Sequence, residues 1–132
     1  YIVYEGALQM MADNPTAYMK EQECTNFIAS IPTTFDTTIA LDGKLGEYVV
    51  MARKKDNAWY IGAIGNWDER EIEIDFSFLN DGNYIAGILK DGINANKNAT
   101  DYKKEIMNIT SKKKLKIKLM SGGGWVAIIK KL

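Results

Sequence analysis

Glu71-Ile72-Glu73-Ile74-Asp75-Phe76 alternates charged and apolar residues without a break. Successive side chains of a β-strand point to opposite faces. Ile72, Ile74 and Phe76 therefore turn toward a core, and Glu71, Glu73 and Asp75 toward water. A helix would scatter the two sets, because residues two apart lie about 200° apart around its axis. Lys114-Leu115-Lys116-Ile117-Lys118-Leu119 repeats the pattern with cations on the wet face. Lysines along a strand are a common guard against edge-to-edge aggregation.

The same period extends on both sides of these segments. Upstream, Thr37-Thr38-Ile39-Ala40-Leu41 reads as a strand ended by Asp42-Gly43. Gly46 to Lys54 is apolar on both faces around Tyr48-Val49-Val50-Met51-Ala52, the pattern of a central strand. Lys55-Asp56-Asn57 is a tight-turn signal, and Trp59 to Ile64 is the expected hairpin partner. Downstream, Asn80-Asp81-Gly82-Asn83 turns the chain into a strand from Tyr84 to Leu89, ended by Asp91-Gly92. Asn94 to Lys103 is polar and reads as a loop. Glu105 to Thr110, Leu115 to Leu119 and Trp125 to Ile129 complete about eight short strands, the signature of a β-sandwich or barrel.

The first 32 residues have a different texture. Tyr1 to Ala12 is almost continuously apolar, and periodicity alone does not separate buried helix from buried strand there. Asp13-Asn14-Pro15-Thr16 breaks the run, with Pro15 suited to a turn or a first helical turn. Glu21 to Ile31 reads as helix, placing Cys24, Phe27, Ile28 and Ile31 on one face, and Pro32 stops it. The uncapped apolar start at Tyr1-Ile2-Val3-Tyr4 is unusual for a domain terminus. It reads as a piece cut or processed from a longer polypeptide.

Composition narrows the chemistry. Lysine plus arginine and aspartate plus glutamate number 17 each, so the net charge is zero. A nucleic-acid or anionic-membrane partner needs a positive field, and neither is expected. No apolar run reaches the roughly 20 residues of a membrane-spanning helix. The absence of histidine removes Ser-His and Cys-His mechanisms and the usual catalytic zinc sites. The lone Cys24 forms no internal disulfide and reads as a small buried hydrophobe.

Each candidate site has a plain structural alternative. Trp59, Tyr60, Trp67 and Trp125 are the material for a sugar-stacking platform. Trp59 and Trp125 lie inside strands, however, where core packing is the default. Trp67, in the turn Asn66-Trp67-Asp68, is the surface candidate, with packing against a neighbouring domain favoured over ligand binding. A glycosidase needs two carboxyl groups held across a sugar ring, about 5–10 Å apart. Glu71, Glu73 and Asp75 form a solvated strand face, whereas Asp42, Asp81 and Asp91 each precede glycine in a turn. Asp81-Gly82-Asn83 and Asp91-Gly92-Ile93-Asn94 lack the calcium-loop spacing, and no metal ligand is assigned. Gly122-Gly123-Gly124 lacks the lysine of a phosphate loop and precedes a strand, so it reads as a flexible or sharply bent turn. No catalytic residue is assigned.

Several strings, taken in order, carry a resemblance. They are Ala7-Leu8-Gln9-Met10-Met11-Ala12-Asp13, Phe27-Ile28-Ala29-Ser30-Ile31-Pro32-Thr33-Thr34-Phe35-Asp36, and Leu41-Asp42-Gly43-Lys44-Leu45-Gly46-Glu47-Tyr48-Val49-Val50. Ala52-Arg53, Trp59-Tyr60-Ile61-Gly62, Lys90-Asp91-Gly92-Ile93-Asn94-Ala95, Asp101-Tyr102-Lys103-Lys104-Glu105 and Gly122-Gly123-Gly124-Trp125 follow. Over essentially its whole length the chain resembles the C-terminal end of glycoside hydrolase family 97, bacterial α-glucosidases and α-galactosidases typical of Bacteroides-like organisms.

The resemblance implies a mainly β fold. Residues 33–132 would form an antiparallel, eight-stranded, Greek-key β-sandwich like the C-terminal domain of α-amylase-type enzymes. Residues 1–32 would be the end of a (β/α)8 barrel, with Ala7 to Ala12 its last strand and Glu21 to Ile31 its last helix. Asp13 would then sit at the carboxyl end of that strand, the side of barrel active sites, although a loop or capping role is favoured. The family's catalytic carboxylates and calcium site lie upstream, so this chain carries no cofactor. It is expected to be inactive alone, to support the O-glycosyl hydrolase barrel and to make oligomer contacts. The alternative is a carbohydrate-binding module built on Trp67 and neighbouring aromatics. Expected partners are the rest of the glycosidase polypeptide, a second copy and, in the parent, an oligosaccharide. The expected location is periplasmic or otherwise exported in a Gram-negative bacterium.

Overall fold

A computed structural model of the chain describes residues 1–6 and 8–132. Two short helices come first: α1 (Pro15–Lys20) and α2 (Gln22–Ala29). Eight strands follow: β1 (Thr37–Lys44), β2 (Tyr48–Lys55), β3 (Ala58–Gly65), β4 (Arg70–Asp75), β5 (Asn83–Asp91), β6 (Tyr102–Thr110), β7 (Lys114–Leu119) and β8 (Gly124–Lys131). All pairings are antiparallel. One sheet runs β1-β2-β3-β8-β5-β6, and β4 and β7 form a second. Hairpins join β1 to β2, β2 to β3 and β5 to β6. The other connections cross between sheets, which places β8 between β3 and β5. The result is the expected eight-stranded sandwich, with six strands facing two.

The alternating segments build the core. Ile72, Ile74 and Phe76 of one chain stretch and Ile117 and Leu119 of the other are all buried. They pack on Val50, Ile61, Ile88, Ile109 and Ile129 of the large sheet. Small and large residues alternate across that sheet. Ala52 pairs with Ile61, Ile61 with Ala127, and Ala127 with Ile88. Such a row interdigitates at native density. Lys55 pairs with Ala58 across the β2–β3 turn, and Asp56 takes the left-handed conformation at φ 51 that this tight turn requires.

The outer face of the small sheet is a charge ladder. Glu71, Glu73 and Asp75 stand opposite Lys118, Lys116 and Lys114. Lys116 reaches Glu71 at 3.4 Å, Lys114 reaches Glu73 at 3.2 Å, and Lys118 reaches Glu69 at 2.9 Å. Lys114 and Lys116 of β7 therefore pair with β4 carboxylates, and Lys118 with the residue just before β4, in addition to guarding a strand. All these groups are solvated, so each pair contributes little to stability.

Residues 8–12 form no strand. A strand is defined by a partner ladder, and the barrel strands that would flank this one are not in the chain. Ala7, where that expected strand begins, lies outside the described residues. The helical expectation from Glu21 to Ile31 is met over Gln22–Ala29, preceded by α1, which Asn14 caps by accepting from the Ala17 N–H at 2.9 Å.

Candidate interface on the outer sheet face

The large sheet has a second apolar face, turned away from the core. Residues 1–4 and the apolar side of α2 lie against it. Ile2 is 3% exposed and, with Val3, presses on Gly62. A Cβ at residue 62 would stand 3.0 Å from Val3 Cγ2 and 3.1 Å from Ile2 Cβ, so glycine is what permits the approach. Helix α2 lies alongside, with Lys104 of β6 holding Glu23 at 2.7 Å. Cys24, Phe27, Ile28 and Ile31, the face expected from the sequence, line a cavity of about 380 Å³ together with Leu89 and Val126. Burial, then Glu21 and Glu23, pushes the Cys24 thiol above its ordinary pKa, so it stays protonated and unreactive at neutral pH.

Arg53 also belongs to this face. Among the described residues it is the buried charged side chain, 4% exposed. Its Nη2 donates to the Val3 carbonyl at 3.3 Å, and its guanidinium lies 5.2 Å from the centre of the Phe35 ring.

At one end of the sandwich Trp67 stands 83% exposed. Gly122, at φ 67, lies beneath it, and a Cβ there would come within 2.9 Å of the indole. The glycine run is a fixed bend. Asp91 Oδ2 accepts from the Met120 N–H at 2.9 Å and the Gly124 N–H at 3.1 Å. Gly123 passes so close that an added Cβ would stand 1.9 Å from that oxygen. Leu45 projects fully into solvent from the β1–β2 turn. Arg70 braces this end, pairing with Glu47 at 3.0 Å and lying over the Tyr48 ring at 5.2 Å.

The other aromatics do not join Trp67. Trp125 is buried in the core, and Trp59 packs edge-on against Phe78 with centroids 4.9 Å apart. Asp13 is exposed and local in its bonding: its Oδ1 accepts from the Asn14 N–H at 2.7 Å, and its own N–H donates to the Tyr18 hydroxyl. The helix cap beside it is Asn14. Asp42 accepts from the Gly43 N–H and the Tyr48 hydroxyl, and Asp81 accepts from Ser111. A glycosidase acid needs a carboxyl held above its ordinary pKa. Asp36, Glu47 and Asp75 move the other way. The Asp56 N–H lowers Asp36, a Lys44 hydrogen bond lowers Glu47, and the Ser77 N–H lowers Asp75. Among the described residues no three His, Cys, Asp or Glu side chains group to hold a metal.

Sequence reasoning missed Arg53 and the Asp91 clamp. The signal for Arg53 was its place in a strand otherwise apolar on both faces. Asp91 gave none, because its partners are backbone N–H groups 29 and 33 residues away.

Comparison with known proteins agrees with the fold. Residues 34–130 match the family profile described as "Glycosyl-hydrolase 97 C-terminal, oligomerisation". A retaining alpha-galactosidase of Bacteroides thetaiotaomicron is 49% identical over 98% of this chain and 20% of its own length. A probable retaining alpha-galactosidase of Streptomyces bingchenggensis is 28% identical over 69% of this chain and 14% of its own. A solved glycoside hydrolase family 97 enzyme from a Pseudoalteromonas species, in complex with acarbose, superposes with TM-score 0.93. It is 38% identical, over 99% of this chain and 21% of that one. The chain thus spans about a fifth of the length of these relatives. It belongs to glycoside hydrolase family 97, as part of the C-terminal region of that family.

Proposed function

We propose that the chain is the non-catalytic C-terminal sandwich, with the closing elements of the (β/α)8 barrel in residues 1–32, of an enzyme that hydrolyses α-linked galactose units. One observation carries the division of labour. The outer face of the small sheet is a ladder of ion pairs suited to water, whereas the outer face of the large sheet is apolar and already holds Ile2, Val3 and α2. The second face is the one that docks the barrel. Exposed Trp67 and Leu45 extend the apolar surface at one end, which fits packing against a neighbouring domain or copy. The oligomerisation in the family description supports a further role in self-association. With Trp59 and Trp125 in or against the core, no aromatic platform supports the carbohydrate-binding alternative.

Both alpha-galactosidase relatives support the galactoside assignment and a retaining outcome. The α-glucoside reading rests on the solved neighbour bound to acarbose. An exported, periplasmic location goes with this reading. The test is turnover by the longer polypeptide on nitrophenyl α-galactoside and α-glucoside, followed by the anomer released. Hydrolysis of the galactoside with retention is expected. Activity on neither substrate would overturn the assignment, and preference for the glucoside would replace galactose by glucose.

A further inference from the structure

Arg53 is a buried cation with no counter-charge. On the large sheet it faces Thr38 of β1 and Tyr60 of β3. Above it lie the Phe35 ring and one carbonyl, that of Val3, at the long distance of 3.3 Å. Its Nε has no hydrogen-bond partner, and none of the ion pairs among the described residues includes it. A neutral carbonyl and an aromatic face do not compensate a desolvated guanidinium; buried charges in proteins are paired and hydrogen-bonded. The Tyr1 amino group is held below its ordinary pKa by burial and then by Arg53.

The relatives are about five times longer than the match. In a polypeptide that continues upstream, the Tyr1 amine becomes an uncharged amide and the preceding residues pass beside Arg53. We propose that Arg53 is one half of a buried ion pair whose carboxylate is carried by the polypeptide preceding Tyr1. This rests on the docked-barrel reading above and adds the chemistry of the contact. A guanidinium can bind a carboxylate through two parallel hydrogen bonds, and this one makes a single long bond within the described residues. A lysine would not reproduce that geometry.

The experiment compares thermal midpoints of this chain and of the longer polypeptide, each as wild type, Arg53→Met and Arg53→Lys. In this chain Arg53→Met removes an uncompensated charge at similar volume, and the midpoint should hold or rise. In the longer polypeptide it strands the carboxylate, and the midpoint of a single transition should fall by about 2–4 °C at neutral pH, with Arg53→Lys intermediate. That gap should close as acid protonates the carboxylate. The titratable groups facing Arg53 here, the Tyr1 amine and the Tyr60 phenol, do not titrate in that range. An equal fall in both polypeptides would place the work of Arg53 inside this chain, and a pH-independent gap would assign a carbonyl acceptor; either overturns the pairing. A single transition of the longer polypeptide unmoved by Arg53→Met also overturns it, with docking intact. Two independent wild-type transitions would sink the docking reading and the pairing with it.

Discussion

The same substitution at two glycines should change stability in opposite directions. Gly123→Ala places a methyl group 1.9 Å from Asp91 Oδ2, where no side chain fits. The carboxylate must withdraw from the Met120 and Gly124 N–H groups, both of which it now binds. Hydrogen bonds to a charged group contribute about 1.5–3 kcal/mol each, and partial relaxation leaves a net loss of about 2–4 kcal/mol. Gly87→Ala is the control. Nothing lies within 4 Å of a Cβ built there, and the position is in the middle of β5. Reduced freedom of the unfolded chain should stabilise that variant by about 0.4–1 kcal/mol. Urea unfolding followed by circular dichroism, with the slope checked for constancy, measures both. A neutral Gly123→Ala, or the same sign at both positions, would refute the view that the glycine run exists to admit Asp91.

Other outcomes follow from the packing and charges. Phe76→Ala, at the fully buried centre of the core, should cost about 3–5 kcal/mol in the same assay. Lys116→Ala removes one rung of the solvated ladder and should cost under about 1 kcal/mol, a loss that shrinks as salt is added. Acidification should destabilise the chain as the pH falls through the depressed pKa values of Asp36 and Asp75. Their ionised forms are favoured by native hydrogen bonds from the Asp56 and Ser77 N–H groups, so that contribution is present above their ordinary value of 3.8 and lost below it. Asp36→Asn should flatten the acid limb of a midpoint-against-pH curve. Sedimentation of this chain should show concentration-dependent association through exposed Tyr4, Leu8, Met10 and Trp67; a monomer at high concentration would argue against it.

The sheet architecture was legible because its signals are local. The alternation in Glu71–Phe76 and Lys114–Leu119 fixes which side chains face the core, and Asp56 and Gly82 mark turns by their residue types. The spacing of Cys24, Phe27, Ile28 and Ile31 likewise gave the correct face of α2. Pairing between distant segments was not legible. Nothing near Lys116 in the sequence names Glu71 as its partner, and nothing near Asp91 points to the Gly124 N–H. The apolar run from Tyr1 stayed ambiguous because an unbroken apolar stretch has no period that separates buried helix from buried strand. Of Trp59, Tyr60, Trp67 and Trp125, Trp67 is the exposed one, as its turn position implies, because a turn leaves no opposing sheet to cover it. Arg53 went unmarked as a site, since its isolation emerges only when the surrounding sheet face is assembled.

On the function proposed above, the chemistry lies outside this chain. Hydrolysis of nitrophenyl α-galactoside by the purified chain, at high concentration and over long incubation, tests it most directly. The account predicts release no faster than in a protein-free blank; sustained turnover that persists through further purification would contradict it.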